Sequence, residues 1–294
     1  MHKSSQEIMN EINSACFKKI IIVIIEAILA VVVFVTWSVC GSIDENDNSR
    51  ELFYTCVFIY IIVAIVIYTY YSTKVADLYK KYFVVSTVKE NFDNAYYNHE
   101  QGYDRDVVKY MGFTKMGNRY RSEDFISASY KGVPFQRADV EVEYHSDSGK
   151  SSYTVTYFKG IVYKFKLKKY YPVPLQVRSL DGRYAAFPMG VGKHDIIETE
   201  SMAFNNMFKT FCKDGHMAFY ILTPPIIERL CRLEANFGPM VINFYGKEAV
   251  IALNRKQDSL EPPSVFRMDY ATEKRRVLNQ LAEVCIFIDE LFLN

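Results

Sequence analysis

The chain has 294 residues and a net charge of +1; half of its residues are hydrophobic and 23% are charged. This composition excludes a largely disordered chain, and the near-neutral charge gives no reason to expect a nucleic-acid partner. The six cysteines form no CxxC pair, so a zinc ribbon and a thioredoxin-like motif are also excluded.

Two apolar runs near the start of the chain, residues 20–39 and 52–71, predict a transmembrane helical hairpin. Each run has about the 20 residues that a helix needs to cross a bilayer, and a short polar loop, 40–51, joins them. A cleavable signal peptide, or a lipoprotein modified at Cys40, is the alternative for the first run. That run is longer than the core of a signal peptide, and a second run follows it.

Lysines flank the two runs on the side away from the loop: Lys18, Lys19, Lys74, Lys80 and Lys81. The loop itself carries four acidic residues and a single arginine. Because positively charged residues stay on the cytoplasmic side, we predict a multi-pass protein of the cytoplasmic membrane with both termini in the cytoplasm. Cys40 and Cys56 flank the loop at similar depth, where a disulfide is geometrically allowed on an oxidising face.

Glu26 is the only charged residue within either run. An ionisable residue in a membrane is by default a functional candidate, here for proton or ion movement by an oligomeric transporter. The alternative that we favour is structural, with the carboxyl facing the second helix and bonded to Tyr68 or Thr69. The second run offers no charge, and two helices alone make a poor pore.

Apolar residues continue to recur every three or four positions from Val75 to Tyr96, which predicts a helical stalk after the second run. The same spacing between Ile8 and Cys16 predicts a short amphipathic helix before the first run. The predicted organisation is a cytoplasmic N-terminal segment (1–19), a transmembrane helix (20–39), an external loop (40–51), a second transmembrane helix (52–71), a helical stalk (72–101) and a cytoplasmic α+β domain (102–294).

From residue 125 the period of the apolar residues changes to two, as in a half-buried strand. A strand around 139–144, a turn at 146–149 and a return strand that ends before Pro172 predict an antiparallel meander. Gly160 lies within the return strand, where glycine often marks a bulge.

Local signals predict the remaining elements of the soluble domain. Thr223 and Pro224 suit the N-cap and the first position of a helix that Gly238 ends. The other predicted elements are a short helix ending at Gly112, a short helix over 202–212, a buried strand over 217–222, a hairpin of 241–245 with 249–253, and a C-terminal amphipathic helix from about Thr272.

Three segments of the second half are distinctive: Phe158-Lys159-Gly160-Ile161; Tyr220-Ile221-Leu222-Thr223-Pro224, with Glu228-Arg229-Leu230 after it; and Leu291-Phe292-Leu293-Asn294. They resemble a bacterial family known only as domain of unknown function 3137, some of whose members carry the misleading label galanin. The resemblance implies two N-terminal spans before a soluble domain, over nearly the whole chain. Phe219 stands where members often carry arginine, so no role of that arginine carries over, and no catalytic residue is implied.

The sequence contains no HExxH zinc motif and no G-x-S-x-G elbow, and we predict no cofactor or metal. Two turn-like stretches carry residue types that acid–base catalysis uses, namely His194 with Asp195 and Asp214 with His216. Solvated loops are the commoner explanation of such stretches. An enzyme with an unrecognised site would bring these four residues together in one deep pocket.

A row of lysines follows the predicted return strand: Lys164, Lys166, Lys168 and Lys169. Beside an anionic leaflet, each lysine would contribute about 1 kcal/mol of attraction to lipid. The alternative that we favour is pairing across strands with Glu141 and Glu143, or a solvated face.

The leading hypothesis is therefore a membrane-anchored cytoplasmic module that binds another protein or the lipid surface. The bilayer is the one partner that the sequence predicts directly. A membrane-associated enzyme is the second hypothesis, and a subunit of an oligomeric transporter, based on Glu26, is the third.

Overall fold

The computed structural model describes residues 5–40, 47–149, 151–182, 186–263 and 267–293, with the side chains of 5, 36–40 and 47–53 left undescribed. The chain divides into two compact units. Unit one is Met1–Ser86 with Glu261–Val277, and unit two is Thr87–Leu260 with Leu278–Asn294. Helices and antiparallel strands are both abundant, so the predicted α+β class is confirmed.

Unit one contains two long helices, α1 (Ser5–Cys40) and α2 (Asp47–Tyr79), which pack along each other. The ammonium of Lys19 lies 5.2 Å from the centre of the Tyr68 ring, so the first half of α1 lies beside the second half of α2. The predicted amphipathic helix before the first run is the first part of α1, because nothing between Phe17 and Ile20 interrupts helical structure.

Most large apolar side chains of both helices are exposed, from Val23 to Val35 in α1 and from Tyr54 to Tyr70 in α2. Within the described part of the chain, one helical stretch, Tyr54–Asn91, is long and apolar enough to cross a membrane by length and composition. None of its most apolar window is buried. Membrane association is therefore indicated for this stretch.

The first turns of α1 contrast with that exposed surface. Met9, Ile12 and Cys16 are buried, and the Asn13 side chain exchanges two hydrogen bonds with the backbone of Met268, at 3.3 and 2.8 Å. These contacts lie within unit one. They show that the helical spacing of the N-terminal segment serves packing against protein.

Lys80, one of the predicted membrane-flanking lysines, is buried and lies 2.7 Å from the carboxylate of Glu261. It belongs to a π-helical turn, Lys80–Val84, that follows α2. A π turn rotates the side chains that follow it, and the flanking charge here is neutralised by an acidic partner. Lys80 therefore differs from Lys74 and Lys81, whose side chains are exposed.

The helix after the second run is shorter than predicted. It ends with α3 (Val85–Asn91), and residues Asp93–Asn98 form the edge strand β1. Phe92 is buried with its ring 5.1 Å from that of Phe135, and Asn94 has a φ of +50°, which turns the chain into the sheet. Pairing with the next strand thus overrides a helical spacing that continues in the sequence.

The other elements are six strands and five helices within the described residues. The strands are β2 (Arg119–Tyr130), β3 (Val133–Asp147), β4 (Ser152–Ser179), β5 (Ile196–Ile197), β6 (Phe208–Cys212) and β7 (Met240–Asn254). The helices are α4 (Arg105–Met111), α5 (Met202–Met207), α6 (Gly215–Ile221), α7 (Pro224–Phe237) and α8 (Tyr270–Leu291).

The strands form one antiparallel sheet in the order β1-β2-β3-β4-β6-β5, with β7 also paired to β4. The predicted meander is confirmed as β2–β3–β4. The strand β4 is central to the sheet, since β7 follows one side of it over most of its length. On the other side, β3 pairs with its first part and β6 with its last residues, Leu175–Ser179.

The strand β7 corrects one prediction. The sequence predicts a hairpin that turns at Gly246, but residues 240–254 form one continuous strand along β4. Gly246 has a φ of +56°, which bends the strand without reversing it. A long partner strand supplies hydrogen bonds on both sides of this bend, so the chain gains nothing by turning back.

Two short apolar segments exchange their predicted structures. The end of the predicted helix over 202–212 is the strand β6, and the predicted strand over 217–222 is largely the helix α6. The carboxylate of Asp214 caps α6 by accepting from the backbone N–H of His216 and of the next residue. Short apolar runs do not distinguish helix from strand by period, and here the cap and the pairing of β6 with β4 decide.

Two predicted helix boundaries are confirmed. Thr223 takes the N-cap position of α7, with Pro224 in the first turn and Gly238 at the end. Gly112 ends α4 with φ +67° and ψ +35°, the left-handed conformation that glycine adopts readily.

The core of unit two encloses a charged pair. Arg137 is fully buried, 3.4 Å from the carboxylate of Asp139, and it also donates to the Ser259 hydroxyl. Ser259 in turn donates its backbone N–H and hydroxyl to Asp139. Burial opposes the charge of the guanidinium, but Asp139 and Tyr163 outweigh burial and raise the pKa of Arg137. Arg137 therefore keeps its charge, and its contacts with Asp139 and Ser259 tie the chain after β7 to β3.

Gly160 lies at a close approach of strands and not at a bulge. A Cβ at position 160 would lie 2.0 Å from the carbonyl oxygen of Leu253 in β7. The irregularity of the β3–β4 ladder falls instead at Tyr157, opposite the step from Val142 to Glu143. The glycine of the Phe158–Ile161 segment is therefore required by the contact between β4 and β7.

We predict that Gly160→Ala lowers the free energy of unfolding by roughly 3 kcal/mol, because the added methyl group overlaps a backbone carbonyl. The matched control is Gly215→Ala, whose Cβ would lie 3.8 Å from Ile197 Cδ1, in ordinary contact. At the start of α6, alanine should leave the stability unchanged or raise it. Denaturant unfolding of the purified full chain measures both, and a wild-type midpoint for Gly160→Ala would contradict this account.

Candidate functional site

Unit two contains a cavity of about 550 Å³, which we call the lysine groove. Its lining residues come from the β2–β3 turn (131–134), β4 (166–169 and Tyr171), the corner between α6 and α7 (Tyr220, Ile221, Thr223 and Ile226), β7 (Phe244) and the end of α8 (291–293). Five parts of the chain that are distant in sequence therefore meet here.

The groove exists because β4 leaves its partner strand. Lys166 pairs with Glu248 and Leu175 with Phe244, so β4 advances nine residues while β7 advances four. Between these points the ladder holds only at Tyr171. The excess residues of β4 move away from β7 and form one wall of the groove.

The sequence accounts for this departure. Pro172 and Pro174 have no backbone N–H to donate to a ladder, so they belong at edges and irregular parts of a strand. The sequence predicts that the return strand ends before Pro172. The pairing with β7 is indeed interrupted there, but β4 continues through Pro172-Val173-Pro174 to Ser179. The interruption is a change of register and not an end.

Three of the predicted lysines, Lys166, Lys168 and Lys169, line the groove and have exposed side chains. No ion pair joins any of the three to a carboxylate in the described part of the chain. The ammonium of Lys169 lies 4.1 Å from the centre of the Tyr220 ring and 5.4 Å from that of Tyr171. Cation–π attraction to two rings thus holds this charge at the groove.

The other lysines nearby are neutralised. Lys164 lies 2.8 Å from the carboxylate of Glu248 and does not line the groove. Lys131 lines the groove but lies 2.8 Å from Asp289. The predicted pairing of the lysine row with acidic neighbours therefore holds for Lys164, although its partner is on β7 and not on β3.

Glu141, a partner predicted for the lysine row, pairs instead with Lys159, at 3.0 Å. Lys159 also lies 3.2 Å from Asp258. Glu141 is thus occupied by a lysine outside the row and does not pair with the row.

Aromatic and aliphatic side chains form the floor of the groove. The Phe292 ring lies 4.9 Å from Phe165 beneath it, and Tyr171 lies 5.2 Å from Phe244. Burial, and to a lesser extent the neighbouring Tyr220, raises the pKa of Tyr171, which therefore stays protonated. The groove is apolar below and positively charged at its edge.

The four residues of the predicted acid–base site do not line the groove. The Asp214 carboxylate caps α6 at His216, and the Asp195 carboxylate accepts from the Gly192 backbone N–H at 2.8 Å. His194 and His216 have exposed side chains. In the part of the chain that the structure describes, no three His, Cys, Asp or Glu side chains lie close enough to hold a metal ion.

Glu26 does not make its predicted hydrogen bond. Its Oε1 is buried without a partner among the described residues, while the Thr69 hydroxyl donates to the Ile65 carbonyl of its own helix at 2.9 Å. The predicted disulfide of Cys40 with Cys56 falls on a side chain outside the described part of the chain.

The sequence alone indicates the lysines of the groove and two of its lining segments, Tyr220–Pro224 and Leu291–Asn294, but it does not indicate the groove itself. It missed Phe244 and the turn at 131–134, because strand register and long-range contacts leave no local signal. The available signal was Pro172-Val173-Pro174 within an otherwise regular strand.

No curated protein matches the chain. A solved structure described as the "crystal structure of the mycobacterial trehalose monomycolate transport factor A, TtfA" is similar at 9% identity and a TM-score of 0.37, covering 71% of this chain and 94% of that chain. A family model described as "Protein of unknown function (DUF3137)" matches residues 156–293, which include most of the groove lining. Residues 156–293 therefore match the family that the distinctive segments predict.

Proposed function

We propose that this protein is a membrane-anchored binding module whose ligand or partner occupies the lysine groove. The observation that carries the proposal is a set of three lysines that have no carboxylate partner among the described residues and lie at the edge of an apolar cavity, within the segment that matches the family model. Surface lysines on a strand ordinarily pair or are simply solvated. Here two aromatic rings hold one of them in place, an arrangement typical of a recognition site.

The membrane anchor in this proposal is the α1–α2 hairpin. The exposed apolar surface of both helices would cost roughly 25 cal/mol for each Å² left in water, whereas lipid removes that cost. Each helix is also long enough to cross a hydrocarbon core. Lys19 at Tyr68 places a lysine and an aromatic ring at the same end of the hairpin, as membrane interfaces favour.

The lysines that flank the two apolar runs favour an orientation with both termini and unit two in the cytoplasm. Lys18, Lys19, Lys74 and Lys81 carry the bias, while the buried Lys80 contributes little to it.

We predict that a fluorescent reporter fused after Asn294 is active and that a phosphatase reporter at the same place, which works only outside the membrane, is inactive. The positive-inside rule is the physical reason. Inserting the phosphatase into the loop between α1 and α2 is the control and should give an active enzyme. An active phosphatase after Asn294 would contradict the proposed orientation.

Binding, and not catalysis, is the activity that the geometry supports. The carboxylates of Asp195 and Asp214 accept hydrogen bonds from nearby backbone, and the neighbouring histidines face solvent. General acid–base catalysis needs such groups within hydrogen-bond reach of one another or of a substrate. The groove offers fixed charge and apolar surface instead.

A photoreactive amino acid at position 220 tests the binding role of the groove. We expect Tyr220→benzoylphenylalanine in the full chain to form a specific covalent adduct on illumination of living cells, because Tyr220 is 61% exposed and lines the groove. The matched control is Tyr153, 54% exposed and outside the groove. Equal adduct formation at both positions, or none at position 220, would contradict the proposal.

A subunit of an oligomeric transporter remains a second candidate on one observation, the buried and unpartnered Oε1 of Glu26. A carboxyl in that state is costly in a membrane and is usually retained for function. Two helices require several copies to enclose a pathway. A chain that is monomeric in nanodiscs would contradict this role.

A further inference from the structure

We propose that the lysine groove binds an amphiphile with one alkyl chain and an anionic head, a phosphate or a carboxylate. The head is held by Lys166, Lys168 and Lys169, and the chain lies on the apolar floor. The inference rests on the proposed function, since it names the class of ligand that occupies the groove.

The charge of the site selects an anionic head. Three ammonium groups line one cavity, and among the described residues none of them has a carboxylate partner. Like charges held together repel each other, so a site of this kind is stabilised by an anion. Lysine acts as a point charge with three donors, which suits phosphate oxygens and also accommodates a carboxylate.

The position of Lys169 strengthens this selection. Its ammonium lies against the faces of Tyr220 and Tyr171, at 4.1 and 5.4 Å from the ring centres. A lysine on a flexible stem normally loses conformational entropy when it binds an anion. The two rings already restrict this one, so the cost of binding is lower.

The floor of the groove selects an alkyl chain. Leu167, Ile221, Phe244 and Leu291 line it, and each of them is at most 9% exposed. The volume of about 550 Å³ falls within the range of roughly 300–1,000 Å³ that is usual for small-molecule sites. Each CH₂ group placed on such a surface adds favourable transfer from water.

An acidic peptide fits this floor less well. Each peptide unit carries a donor and an acceptor that must find partners when buried. Besides the lysines and tyrosines, the groove offers one polar side chain, Thr223. An alkyl chain has no polar group, and so it loses no hydrogen bond to water on entering the groove.

The test is competitive photolabelling of the full chain in nanodiscs of phosphatidylcholine. The probe is a twelve-carbon alkyl phosphate with a diazirine in its chain, and labelled peptides are mapped by mass spectrometry. We expect adducts on the segments 219–226 and 291–293. Dodecyl phosphate and dodecanoate should displace the probe, and whichever acts at lower concentration identifies the preferred head.

Two further competitors separate the two parts of the ligand, and an acidic peptide is a third competitor. Dodecanol has the chain without the charge, and inorganic phosphate has the charge without the chain. Each should need at least about tenfold more than dodecyl phosphate for half displacement. Equal displacement by either compound would overturn the proposal, and so would better displacement by an acidic peptide than by dodecyl phosphate.

The lysine variant Lys166→Gln/Lys168→Gln/Lys169→Gln should raise the probe concentration for half-maximal labelling at least about tenfold, since each of the three lysines near an anionic group contributes up to about fivefold. The matched control Lys109→Gln/Lys115→Gln/Lys213→Gln removes the same charge from exposed lysines of unit two outside the groove. It should label as the wild type does. Equal labelling of the two triple variants would overturn the proposal.

A second variant tests the floor of the groove without touching the lysines. Ile226 is half-buried at the groove, and Ile226→Trp should fill the cavity and reduce labelling by a similar factor. A wild-type unfolding midpoint shows that each variant is folded. If adducts form at position 220 in cells but the alkyl phosphate probe does not label the groove, this inference alone is overturned. If neither adducts nor labelling occur, the proposed function is overturned as well.

Discussion

The unequal advance of β4 and β7 is the constraint on which the site depends. β4 uses nine residues from Lys166 to Leu175 where β7 uses four, so the two strands pair only at Tyr171 between these points. The excess chain brings three lysines to the edge of a space that α7 and the end of α8 close from other sides. A regular ladder here would place the same lysines on a flat, solvated face.

The two units solve opposite problems of solvation. In unit two, the charge of the fully buried Arg137 is balanced by Asp139, as a protein interior requires. In unit one, the exposed surface of α1 and α2 consists largely of apolar side chains. Under the proposed membrane anchoring, lipid around these helices would remove the contradiction, because apolar surface is then the favourable outer layer.

Local signals in the sequence predict much of the fold. Alternation along β3 and β4 gives the meander, and Thr223-Pro224 and Gly112 fix helix boundaries, because each of these signals acts through neighbouring residues. The predictions fail where distant partners decide: β1 replaces the end of a helix, β6 and α6 are exchanged, and β7 does not turn at Gly246. The groove is missed for the same reason, since its lining comes from five separate segments. The sequence shows the lysines of the groove, but it does not show the strand register that leaves three of them without a carboxylate partner among the described residues.

Hydrogen exchange of the full chain in nanodiscs tests the central claim most directly, because exchange of a backbone amide reports the opening of its hydrogen bond. The account predicts rapid exchange at Leu167–Tyr170, between slowly exchanging amides at Val162–Lys166 and Leu175–Arg178. Uniform protection from residue 162 to residue 178 would show that β4 stays paired throughout, and would contradict the origin proposed for the groove.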